Sequence, residues 1–282
     1  MIDAWKILKA SALNWVAHND ARQGAALAYY SIFSLGPLLI IAVFIAGLFF
    51  GHDAVRGEIS LTITGLLGET GSSAISAMLE GASQPSQGVL PAIIGVATLI
   101  FASVGVVVQL KEALNIVWEV QPPKERGVWQ FARTYVFSFP AVIAVGFLLL
   151  VSLLITAALT AISKYFGTSS SVVLQPVALL SSFAVITLLF AAMLKWLPEV
   201  QIPWRDIWPG AILTATLFEI GKFLIGLYIG SQGLESTFGA GASLVVVLIW
   251  VYYTAQIVLM GAEFTRCYSL ANRPKHKRQR KR

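Results

Sequence analysis

The chain has 282 residues, of which 57% are apolar and 12% charged, with a formal net charge of +6. Soluble domains carry about 25% charged residues, so this composition, with a mean hydropathy of +0.76, excludes an ordinary soluble enzyme and points to a polytopic membrane protein. The single cysteine, Cys267, excludes an intrachain disulfide and a cysteine metal cluster.

Residues 1–22 read as an amphipathic cytoplasmic or interfacial segment. Ile2, Trp5, Leu8, Ala12, Trp15 and Val16 recur at helical spacing, with Lys6, Lys9, Asn14 and His18 elsewhere. Such a helix either lies in the membrane interface or packs on the bundle. Polar residues interrupt any apolar core here, so a cleavable signal is not expected and the first span should act as an anchor. Asp20 and Gln23 resemble a capping box that opens the next helix.

Residues 23–266 read as a transmembrane domain with six apolar stretches at about 30–50, 88–110, 135–161, 172–196, 209–230 and 244–264. Each is long enough to cross a hydrocarbon core, which takes about 20 residues. Pro37 should kink the first span, with Ser31 and Ser34 available to the carbonyls it frees. Residues 51–87 read as short amphipathic helices at the membrane surface. Pro91 and Pro209 suit the first turns of the second and fifth spans. Gly226 and Gly230 form a small-xxx-small pair suited to close helix packing.

Charge orients the bundle. Six spans place both termini on one side, and 17 of the 20 Lys and Arg residues fall there, against Arg56 and Lys164 opposite and Lys222 within a span. The positive-inside rule makes that side cytoplasmic. All tryptophans except Trp250 map to the same edge, as an aromatic belt should. The basic tail, residues 267–282, suits anionic lipid better than nucleic acid. The expected fold is therefore all-α: a polytopic helical bundle with six transmembrane helices, short amphipathic helices and cytoplasmic termini.

Chemistry-bearing residues are sparse. Glu219 and Lys222 sit mid-span in PGAILTATLFEIGKFLIGLYIG. A charge at a membrane helix centre costs roughly 2.5–3.5 kcal/mol on insertion scales, and i,i+3 spacing lets the two partner each other. They are candidates for a substrate or ion path, or a pair that sets helix rotation. Glu263 lies at the cytoplasmic boundary, where Lys111 or Arg266 is its expected partner. Gln109, Gln256, Tyr29, Tyr30, Pro37 and Tyr252 are further path candidates. His18, His52 and His276 are scattered, so no metal cluster is expected. No phosphate-binding glycine-lysine motif or nucleophile elbow is present. No catalytic residue, metal or cofactor is expected, and the chain is not read as an enzyme.

Two further stretches, ALAYYSIFSLGPLLIIAVFIAGLFFG at 26–51 and FGAGASLVVVLIWVYYTAQIVLMGAEFTR at 238–266, join the fifth span in resembling the YihY/BrkB-like family of bacterial inner-membrane proteins. The family was formerly labelled ribonuclease BN, a label generally regarded as misassigned. Tyr29, Tyr30, Pro37, Glu219, Lys222, Trp250, Tyr252, Gly261, Ala262 and Glu263 match its pattern. The resemblance implies a six-span inner-membrane protein without an agreed catalytic set, discussed in terms of envelope lipid handling, transport and serum resistance.

Together these readings lead to a transporter or lipid-exporting flippase of the bacterial inner membrane, with a polar site on the fifth span. Its expected partners are membrane lipids, a lipid or small-solute substrate, and a second copy of the chain. The alternative is a non-catalytic membrane scaffold, and a membrane-associated ribonuclease is a remote third reading.

Overall fold

The computed structural model describes residues 4–34, 105–121, 171–231 and 242–272, with isolated helical positions between 57 and 76. The third predicted span, Pro37, residues 273–282 of the basic tail and most of the first two spans lie outside the described residues, as do the surroundings of Gly226 and Gly230. The described residues are helical throughout apart from turns. In chain order they form α1 (Ala4–Ala17), α2 (20–34), α3 (105–117), α4 (Ser171–Trp196), α5 (Trp204–Ser231) and α6 (Ala242–Asn272). Two segments, Trp204–Ile225 and Leu244–Asn272, are long and apolar enough to cross a membrane.

Helix α5 packs against both α4 and α6, and α1 packs against α6. The α5–α6 pair is antiparallel and very close, because each helix offers a glycine to the other's threonine. A Cβ on Gly210 would lie 1.8 Å from Thr265 Oγ1, and one on Gly261 would lie 1.8 Å from Thr214 Oγ1. Each hydroxyl bonds back to its own helix: Thr214 to the Gly210 carbonyl and Thr265 to the Gly261 carbonyl, both at 2.7 Å. Small residues at a membrane helix contact let the backbones approach in this way. Further along, Gly221 makes room for the Tyr253 ring. Phe218 bridges Phe190 of α4 and Trp250 of α6, with ring centroids 5.7 and 5.6 Å away.

Helix α5 begins earlier than Pro209. Its first turn starts at Trp204, and the Asp206 amide donates to the Pro203 carbonyl. Pro209 therefore sits in the second turn. Asp206 holds the early start in place by accepting hydrogen bonds from Ser269 and Asn272 of α6. Helix α6 likewise outruns its predicted span. Its 31 residues make a rod of about 46 Å at 1.5 Å per residue, against a hydrocarbon core of about 30 Å.

The outer surface is apolar. Trp208, Ile212, Ile220, Phe223 and Leu224 of α5 are exposed, as are Leu180 and Leu188 of α4. Large contiguous apolar faces of this kind are unusual on soluble monomers. Helix α1 follows the same inverted order. Trp5, Leu8, Ala12 and Val16 are exposed, whereas Ile7, Ser11, Asn14 and His18 line the inner face. The apolar stripe legible in the sequence is thus the outward side of α1, and a largely polar row docks the helix on α6.

Candidate functional site

A polar corner forms where the α1–α2 turn meets the C-terminal half of α6. Asn19 turns the chain with a left-handed φ of 56°, a conformation asparagine tolerates better than most residues. Its carbonyl accepts from the Arg22 and Gln23 amides. The turn brings both of its neighbours, His18 and Asp20, toward α6. The capping box expected of Asp20 does not form. Its carboxylate is fully buried, and neither oxygen has a hydrogen-bond partner.

Glu263, also fully buried, faces this turn. Its Oε1 lies 2.5 Å from His18 Nδ1. Neither expected partner of Glu263 is used in that way: Lys111 pairs with Glu199 at 2.7 Å, and Arg266 pairs with Glu119. The reason is tertiary. Glu119, in the turn just past α3, has a φ of 51° and reaches both Arg266 and, at 3.6 Å, His18 Nε2. Around this centre, Asn14 Nδ2 donates to Cys267 Sγ. Gln256 Nε2 lies near the carbonyls of Asp20 and Ala21 through the space left by Gly24.

The electrostatics divide sharply. Burial, reinforced by the Glu263 charge and only partly offset by His18, pushes the Asp20 carboxyl up to about 7. Glu119 is held below its ordinary value, chiefly by its hydrogen bond with Arg266. His18, Asp20 and Glu263 each present a ligand atom within 4.8 Å of the others. His18 joins two carboxylates, not another histidine, and His52 and His276 lie outside the described residues. Sequence reasoning singled out Glu263 and Gln256 but missed Asp20 and His18 as members of one centre. A polar row at Ser11, Asn14 and His18 was the available signal.

The predicted pair on α5 is present. Lys222 Nζ lies 2.6 Å from Glu219 Oε2, and the two side chains are 36% and 30% exposed. They occupy the flank of α5, between its buried face at Ala211, Ala215 and Ile225 and its exposed face at Ile212, Ile220 and Phe223. They are not joined to the His18–Glu263 corner. Tyr29 and Tyr30 are exposed and stack edge-on with each other, and Tyr252 is exposed on α6. Gln109 is half-buried on α3.

An all-helical bundle with membrane-length helices and apolar outer faces defines a helical membrane protein. The chain belongs to the family described as Virulence factor BrkB, which matches residues 14–282. It is 26% identical to a UPF0761 membrane protein of Pseudomonas aeruginosa over 92% of its own length and 62% of the relative's. A UPF0761 membrane protein of Azotobacter vinelandii is 26% identical over 96% of this chain and 64% of that one. One from Stenotrophomonas maltophilia is 28% identical over 86% and 55%. The chain thus spans about three fifths of the length of these curated relatives. No solved structure matches it.

Proposed function

We propose that this protein is a transporter of the bacterial inner membrane, a multi-pass bundle that exports a lipid or small polar solute past Glu219 and Lys222. The observation that carries the reading is that this ion pair is formed yet left about one-third exposed. Charges within a membrane span almost always face a bundle interior or a water-filled path. A pair kept only to set helix rotation would be sealed by its neighbours. Opposite charges side by side also suit a zwitterionic head group, with Lys222 toward phosphate and Glu219 toward an amine. No catalytic step is part of this reading.

The test uses the full chain reconstituted in phosphatidylethanolamine/phosphatidylglycerol vesicles containing fluorescent phosphatidylethanolamine, with dithionite quenching as the readout. Wild-type protein should expose inner-leaflet lipid to the quencher. Glu219→Ala and Lys222→Ala should each slow this at least tenfold while leaving the melting temperature within a few degrees. Transfer at the wild-type rate in both variants would refute the site. Because the pair also satisfies itself internally, that result would favour the membrane-scaffold reading.

A further inference from the structure

We propose that His18, Asp20 and Glu263 form a binding site for a divalent first-row transition ion, which clamps the α1–α2 turn to α6. The site is independent of the α5 ion pair and of the transport reading.

The first support is an unmet need for positive charge. Asp20 Oδ1 and Oδ2, Glu263 Oε2 and Gln256 Oε1 are buried without partners. Among the described residues these are all the buried side-chain oxygens left in that state, and they gather at one corner. Buried carboxylates normally have hydrogen-bonding or charged partners. Here Arg266, the nearby permanent cation, is engaged with Glu119. Asp20 is left with no partner on either oxygen, and Glu263 Oε2 has none; His18, with Arg266 and Asn14 nearby, offsets only part of the Glu263 charge.

The second support is geometric. The ligand atoms of the three residues lie within 4.8 Å of one another. Ligands around a tetrahedral ion about 2.0–2.2 Å away are about 3.4 Å apart, so carboxylate rotations that close the set by about 1 Å would bring it onto a shared centre. The residues come from the two ends of the chain, and Asn19 fixes the turn that aims two of them inward.

The donor set decides the kind of ion. One imidazole nitrogen with two carboxylates is a mixed nitrogen–oxygen set. That favours Zn2+ or Mn2+ over the all-oxygen sites typical of Ca2+ and Mg2+. A divalent ion would neutralise both carboxylates. Three protein ligands would leave room for water, and His18, with 17% of its side chain exposed, marks the side of entry.

The experiment takes the full chain, purified in detergent and stripped with EDTA. Isothermal titration with Zn2+ and with Mn2+ should show one site per chain with micromolar or tighter affinity. Bound ion should raise the melting temperature, and Mn2+ should show nitrogen hyperfine coupling by pulsed electron paramagnetic resonance. His18→Gln, Asp20→Asn and Glu263→Gln should each weaken binding at least tenfold, whereas His52→Ala and His276→Ala should leave it unchanged. No saturable binding to wild-type protein would overturn the proposal without recourse to any variant. So would binding that survives all three substitutions at the site, or that is lost with His52 or His276.

Discussion

Replacing Gly210 by alanine adds one methyl group where α5 and α6 touch. The new Cβ would lie 1.8 Å from Thr265 Oγ1, 3.0 Å from Thr265 Cβ and 3.1 Å from the Gly261 carbonyl oxygen. The Thr265 hydroxyl is buried and bonded to that same carbonyl, and a β-branched side chain in a helix has little freedom at χ1. Relief therefore requires breaking the hydroxyl's bond or moving the helices apart. Overpacking costs about 1–3 kcal/mol, and the lost hydrogen bond about 1 kcal/mol. Alanine returns about 1 kcal/mol through its better helix propensity. The net expectation is a loss of about 1–3 kcal/mol, roughly 2–10 °C in melting temperature for a chain of this size. Thermal unfolding in detergent, followed by tryptophan fluorescence, measures it. Thr265→Ala removes the nearest atom, so the double variant should recover at least about 1 kcal/mol relative to additivity. A Gly210→Ala protein as stable as wild type, or a strictly additive pair, would refute the close packing.

Asp206→Ala should destabilise the protein by about 2 kcal/mol, since it leaves the buried Ser269 hydroxyl and the Asn272 amide without their acceptor; chemical unfolding in detergent checks this. Lys111→Ala should cost under about 1 kcal/mol in the same assay, because its partner Glu199 is half-exposed and exposed pairs contribute little. In EDTA, stability should fall as pH rises from about 4 to 7. Asp20 titrates near 7 in the folded protein against about 3.9 unfolded, so folding favours its protonated form over that interval and the advantage is gone above it. His18, Glu263, Arg266 and Glu119 share the corner, and Asp20→Asn should remove most of this slope as read by melting temperature. A nitroxide at Leu13 or Val16, in a background lacking Cys267, should be more accessible to oxygen than to an aqueous nickel chelate in vesicles. One at Ser11 should be shielded from both, and equal aqueous access at all three positions would contradict a membrane-facing α1.

Much of this protein was legible along the chain because a bilayer imposes one-dimensional rules. Apolar stretches near membrane-spanning length marked α4, α5 and α6 to within a few residues at most of their ends. The Glu219–Lys222 pair was legible because i,i+3 spacing on a helix brings side chains together whatever surrounds it. The outward stripe of α1 could be listed from sequence but not oriented, since apolar residues face inward in water and outward in lipid. The Gly-Ala-x-x-Thr pattern occurs at both 210–214 and 261–265, yet only the antiparallel register of α5 and α6 sets each glycine against the other's threonine. The polar corner was beyond sequence reading for a similar reason. His18 and Glu263 are 245 residues apart, and their meeting depends on a left-handed turn at Asn19, a notch at Gly24 and an α6 that continues to Asn272. Local spacing determines which groups can share a helix face; only packing decides which buried carboxylates are left to seek a cation.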